Sequence, residues 1–166
     1  MKKRILIAAL AVLLGANIPA VRVLSISNRK NLSEKVFSAA ATTRGFTISY
    51  THSVNKGRVH DFYRALPGGE LELYMTEFVS YGAGIPEAGE TDGARFRSTE
   101  SGFIIEDLHR VLPRLVMAVG VVVEHSLSYP DSGEEFFLRE FFKPQTSLVL
   151  EVRRVPLTEY LLTKRI

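Results

Sequence analysis

The sequence predicts a single all-β domain, an antiparallel β-sandwich or partly closed barrel of about seven to eight strands, preceded by an N-terminal signal or anchor helix. Three observations carry that prediction. Apolar and polar residues alternate in short runs through most of the chain; Gly, Pro, Asn or Asp separates most of the runs; and no long stretch repeats with a helical period.

Residues 1–21 read as a signal peptide or membrane anchor. Lys2, Lys3 and Arg4 precede an uncharged run from Ile5 to Val21, the order of a positive n-region and an apolar core. A cut after Ala20 leaves Ile18 where a small residue is preferred, which argues for retention. Pro19 breaks a helix and favours an extended, accessible segment, which argues for removal. The run falls just short of the ~18 to 20 apolar residues that span a bilayer, and Val23 and Leu24 beyond Arg22 extend it. Either outcome leaves residues 22–166 outside the cytoplasm, in the periplasm or on the outer face of the cytoplasmic membrane, because the leading cations stay inside. A retained segment tethers the domain to the inner membrane.

The same three cations account for the basic balance. The chain has 21 Lys+Arg against 18 Asp+Glu; without the n-region 18 face 18, and the bases are dispersed, so nucleic-acid binding has no electrostatic footprint. There is no cysteine, which excludes a lipoprotein anchor, disulfides and thiol catalysis.

Strands are read in order at "KVFSAA", "FTISYTHS", "RVHDFYRAL", "ELELYMTEFVS", "SGFIIEDL", "RLVMAVGVVVEHSLSY", "EEFFLREFF" and "TSLVLEVRRV". In the second, Phe46, Ile48, Tyr50 and His52 share one face, and Thr47, Ser49, Thr51 and Ser53 the other. In the fourth, Glu77 shares parity with Leu73 and Met75, so a bulge is expected beside it. "PEAGETDGAR" reads as a polar, Gly-rich loop. A short helix is expected around Asp107–Leu115, interrupted by Pro113. Phe136, Phe137, Phe141 and Phe142 are mostly core, but adjacent positions on a strand cannot all face one way.

Polar residues with chemical potential concentrate in "YTHSVNKGRVHDFY", from Tyr50 to Tyr63. Neighbours on a strand point to opposite faces, so His52 and Ser53 do not form a base and nucleophile pair, nor do His125 and Ser126. No G-x-S-x-G elbow supplies an exposed serine. His52 and His125 each lie on the apolar-parity face of a strand, where a histidine is otherwise a core residue with a satisfied hydrogen bond. Geometry places them within side-chain reach of each other or of a common cavity. The turn between the two strands decides which partner His52 meets. A two-residue turn at Lys56-Gly57 sets His52 opposite Asp61 and Tyr50 opposite Tyr63; a three-residue loop at Asn55–Gly57 sets His52 opposite His60.

"YTHSV", the Val59-x-Asp61 step, "SYGAGIP" from Ser80 to Pro86, and "VG" followed by "EHSL" at Val119–Leu127 together resemble the family catalogued as domain of unknown function 1850. The similarity covers nearly the whole chain after the signal. That family consists of small exported bacterial proteins often encoded beside TAXI-type TRAP transporters, in which an extracytoplasmic solute-binding protein feeds an ion-driven permease. The resemblance implies such a solute-binding protein or TRAP permease as partner, and it carries no established activity. Two positions depart from it: the family usually has Glu where this chain has Asn55, and Asn-His where this chain has Glu124 and His125.

These readings point to a non-catalytic, extracytoplasmic accessory domain that binds a small polar ligand or a transporter component. Its candidate ligand-binding residues are His52, Ser53, Asp61, Tyr81, Gly82, Gly84, Pro86 and His125, with no cofactor. Gly82 and Gly84 are there for close backbone approach to a ligand, or else only to shape a tight loop that Pro86 ends. The alternative is a metal-dependent hydrolase built from His52, Asp61 or His60, and His125 around an open zinc position. A third possibility is a purely structural envelope protein, whose polar positions are core hydrogen bonds.

Overall fold

Two β-sheets pack face to face in the computed structural model, which describes residues 3–5, 7, 15–53, 56–80 and 93–166. Among them twelve strands form: β1 (Pro19–Asn28), β2 (Asn31–Ser38), β3 (Phe46–Thr51), β4 (Arg58–Ala65), β5 (Leu71–Phe78), β6 (Arg95–Thr99), β7 (Gly102–Leu112), β8 (Leu115–Ala118), β9 (Ser126–Ser128), β10 (Glu135–Phe137), β11 (Ser147–Pro156) and β12 (Lys164–Arg165). The five-stranded sheet has the order β12-β2-β1-β11-β8 and the seven-stranded sheet β10-β9-β3-β4-β5-β7-β6. Every pairing is antiparallel except β12 with β2. The all-β sandwich expected from the alternation is therefore the architecture.

The core between the sheets explains it. Leu24, Ile26, Leu148 and Leu150 of the smaller sheet are fully buried against Phe46, Ile48, Leu71 and Leu127 of the larger one, each contributing roughly 1.5–3 kcal/mol of apolar burial. β1 is covered on both faces, since Val23 packs with Phe37 and Val155 in a second cluster on the far side.

Several elements depart from the sequence expectation. β1 begins at Pro19, which pairs with Pro156, so a strand takes in the end of the N-terminal apolar run; proline is tolerated as the first residue of a strand. The signal or anchor helix expected at residues 1–21 lies in part outside the described residues, and no described helix is long and apolar enough to cross a membrane. The run from Arg114 to Tyr129 splits into β8 and β9, which join different sheets. The helix expected around Asp107–Leu115 does not form. β7 continues to Leu112, pairing Arg110, Val111 and Leu112 with Leu73, Glu72 and Leu71, and left-handed backbone at Asp107 and His109 (φ 58° and 46°) is incompatible with a helix. The bulge in β5 lies at Tyr74 rather than beside Glu77. It turns Thr76 and Phe78 inward and leaves Glu77 on the outer face.

The β3–β4 hairpin takes neither anticipated register. His52 N–H donates to Gly57 O at 2.8 Å, closing a four-residue loop in which Lys56 is left-handed (φ 57°). Phe46 then faces Tyr63, Ile48 faces Asp61, Ser49 faces His60 and Tyr50 faces Val59. The Phe46–Tyr63 pair decides it: the two buried rings stack with centroids 5.3 Å apart, where the anticipated Tyr50–Tyr63 pairing would leave Phe46 without an aromatic partner. Gly45 makes the approach possible, for at φ 76° a Cβ there would lie 2.8 Å from Tyr63 O.

Candidate functional site

The register places polar side chains on the inner face of the larger sheet, among the core residues. Asp61 shares that face with Tyr63 on its own strand and lies opposite Ile48. Across the β4–β5 pair, Thr76 Oγ1 donates to Asp61 Oδ1 at 2.6 Å. Burial holds the Asp61 carboxyl above its usual range, opposed by the Thr76 hydroxyl and by the charge of Arg110. Arg110 reaches this face from β7, where it is paired with the inward Leu73.

Two tyrosines border the carboxylate. Burial, with the Asp61 charge added, pushes the Tyr50 hydroxyl up to about 12, and the same causes raise Tyr63 further. Both stay protonated at neutral pH and can donate hydrogen bonds. His125 arrives from the loop before β9 and packs its ring against Tyr50, centroids 5.6 Å apart. Its Nδ1 lies 3.2 Å from the Gly120 N–H, which donates to it. Burial and then the Arg58 charge lower the His125 pKa, so the ring is neutral and keeps that acceptor. A Cβ at Gly120 would meet Val123 Cβ at 2.6 Å, which ties the "VG" step to the loop that delivers His125.

Thr76, Tyr50, Tyr63 and the exposed Arg110 thus act on one carboxylate, and His125 joins them through its ring contact with Tyr50. The set can bind and orient a small polar molecule, and it includes no activated nucleophile.

The other anticipated residues are distributed differently. His52 is half-buried at the mouth of the hairpin, continuing the strand that carries Tyr50. Ser53 is exposed in the turn, where its carbonyl accepts from Lys56 Nζ at 2.8 Å. Tyr81, Gly82, Gly84 and Pro86 lie outside the described residues. Among those described, no group of three or more His, Cys, Asp or Glu could hold a metal ion. The hairpin register carries His60 to the outer face and sets Asp61 opposite Ile48, so it does not bring His52, His60 and Asp61 side by side.

A serine does meet a histidine, on the outer face. Ser126, Ser49, His60 and Glu77 lie side by side across β9, β3, β4 and β5, and Ser49 Oγ is 2.7 Å from His60 Nδ1. Burial first, then the Arg58 charge, lowers the His60 pKa against the opposing charges of Glu77 and Glu135. Ser49 is only 3% exposed, so the pair cross-links strands and presents no attacking hydroxyl.

Sequence reasoning did not select Thr76, Tyr63 or Arg110. Thr76 was masked by the Tyr74 bulge, which reverses the parity of the second half of β5. Arg110 fell inside a segment read as helix.

A family model described as "Domain of unknown function (DUF1850)" matches residues 46–136, more than half of the chain. The match begins at the first residue of β3 and ends within β10, so it spans nearly the whole seven-stranded sheet and every member of the inner cluster. Nothing matches among curated proteins or solved structures.

Proposed function

The chain belongs to the domain of unknown function 1850 family, and from that premise we propose that it is an extracytoplasmic accessory domain that binds a small polar ligand on the inner face of its larger sheet. One observation carries the reading: the half-buried Asp61 accepts from Thr76 Oγ1 at 2.6 Å on the core side of the sheet, with Tyr50, Tyr63 and Arg110 near enough to act on its charge. A carboxylate drawn partly out of water is costly to a fold, and perturbed groups cluster where binding or chemistry needs them. The Lys2-Lys3-Arg4 n-region and its apolar run support export. The partner proposed with it, a TAXI-type solute-binding protein or TRAP permease, rests on the transporter context that the resemblance implies.

Binding is tested by thermal shift of the full chain against small organic acids, amino acids and amines. At least one compound should raise the melting temperature saturably, and Asp61→Asn and Arg110→Ala should each abolish the rise. A rise that survives both substitutions, or none with any compound, overturns the site. Location is tested by a reporter active only outside the cytoplasm, fused beyond Ile166, with N-terminal sequencing to find any cut. A silent reporter with the domain recovered in the cytosol defeats the accessory role.

A further inference from the structure

The outer face of the larger sheet carries a second recess, on the opposite side from Asp61. Two bulges meet there. Tyr74 is the extra residue of β5 between Leu73 and Met75, and β7 inserts Asp107, Leu108 and His109 between Glu106 and Arg110. The left-handed backbone at Asp107 and His109 crowds the Cβ of a non-glycine residue against the following carbonyl, and Asp and His are among the side chains that reach it most readily. The bulges open a cavity of about 330 Å³, walled by Arg64, Tyr74 and Met75 on one side and by Arg95, Glu106 and Asp107 on the other. That lies at the lower end of the ~300–1,000 Å³ of small-ligand sites, room for one sugar-sized ring.

The charges in this cavity are already paired. Glu72, 4% exposed, accepts from Arg64 Nε at 2.6 Å and Nη2 at 3.1 Å, and its Oε1 lies 2.8 Å from His109 Nδ1. Asp107 accepts from Arg95 Nε at 2.6 Å, and Glu106 from Arg97 Nη2 at 2.9 Å. An incoming carboxylate would meet Glu72, Glu106 and Asp107 beside the guanidiniums, and an incoming ammonium would meet Arg64, Arg95 and Arg97 beside the carboxylates, so the balanced set gains little from a net charge of either sign. A neutral hydroxyl meets no such repulsion and can use the lone pairs and N–H groups that the pairs leave free. The planar edges of Glu106, Asp107 and Arg95 are suited to adjacent hydroxyls, while Met75 and the part of Tyr74 not covered by the Arg64 guanidinium, which lies 5.3 Å from its ring centroid, supply an apolar wall for the C–H face of a ring. We infer that this cavity is a second binding site, independent of Asp61, for an uncharged polyol of monosaccharide size.

The test is a set of amide ¹H–¹⁵N titrations of the full chain with methyl glucopyranoside, methyl galactopyranoside, methyl mannopyranoside, acetate and methylammonium. At least one glycoside should give saturable shifts at Tyr74, Met75, Asp107 and His109 without saturating Asp61 or Thr76, and acetate and methylammonium should not. Tyr74→Ala should weaken binding at least about tenfold, the loss of roughly 1.4 kcal/mol of contact. Asp107→Asn, which suits the left-handed backbone, is the second variant should Tyr74→Ala disturb the fold, and it should weaken binding about threefold or more. Asp61→Asn should leave the glycoside affinity unchanged, so either site can fail alone. Saturation by a charged probe in place of the glycosides, saturation at Asp61 instead, or no saturation by any glycoside overturns the inference.

Discussion

Thr76 Oγ1 donates to Asp61 Oδ1 at 2.6 Å, across the β4–β5 pair and on the core side of the larger sheet. The bulge at Tyr74 makes this contact possible: with Tyr74 paired in regular register, Thr76 would face outward and Asp61 would lie opposite Met75. Thr76→Val keeps shape and removes the donor. It should cost about 1.5–3 kcal/mol, the range for a hydrogen bond to a charged group, and should raise the Asp61 pKa, read from its carboxyl carbon shift against pH. Thr76→Ser should recover most of both.

Asp61 itself should be a stability liability. Its folded pKa lies above the ordinary value of 3.8, so its contribution is fully present below that value and is lost as pH rises through the folded value. Asp61→Asn should therefore be more stable than wild type at pH 7, by about 0.5–1 kcal/mol, the scale recovered when a functional group is relaxed. The advantage should vanish towards pH 3. Denaturant midpoints across that range measure it, and an Asp61→Asn protein less stable at pH 7 contradicts the desolvated site.

The two lowered histidines predict the opposite slope. His60 and His125 both fall below 6.5 in the folded state, so the stability they confer is present above about pH 6.5 and declines as pH falls below it. Urea midpoints should drop between pH 7 and 5. His60→Gln should flatten part of that slope, leaving the His125 share, and Ser49→Ala should cost about 1 kcal/mol for the lost cross-strand bond.

Glu72 should behave as an ordinary stabilising acid. The Arg64 hydrogen bond chiefly, with His109 adding, lowers its pKa below 4.5 against the effect of burial. Its contribution is present above that value and lost as pH falls through the folded one. Glu72→Gln should cost about 1–2 kcal/mol at pH 7, less than a fully buried pair because the Arg64 side chain is 54% exposed. Comparing melting temperatures at pH 7 and pH 3 checks it, since the difference should close at the lower pH.

The loop that holds His125 offers a local test. Gly120→Ala drives a Cβ into Val123 and should cost about 1–3 kcal/mol as overpacking, with loss of the ring contact between His125 and Tyr50 in aromatic NOE spectra. Glu124 is left-handed at φ 49°, a conformation Asn adopts more readily. Glu124→Asn should gain about 0.5 kcal/mol even after losing the exposed bridge to Arg139.

Alternation made the sandwich legible, because Phe46, Ile48 and Tyr50 on β3 face the core as period 2 demands. What failed to read were the places where the period breaks. Tyr74 resets parity in β5, and the Asp107–His109 bulge in β7 imitates a helical interruption. A four-residue hairpin loop ending in left-handed Lys56 overrides the Lys-Gly turn signal, since pairing Phe46 with Tyr63 outweighs local turn preference. Asp61 and His125 could be picked by residue type, but Thr76 and Arg110 depend on those bulges and become visible only in three dimensions.

The central proposal is that Asp61 holds a ligand, and a crystal structure of the domain recovered from the cell with its native ligand retained tests it most directly. Density for a small polar molecule is predicted within hydrogen-bond distance of an Asp61 carboxyl oxygen, bordered by the Tyr50 and Tyr63 hydroxyls and by Arg110. Ordered water alone around Asp61, with a bound molecule elsewhere on the domain, would contradict it.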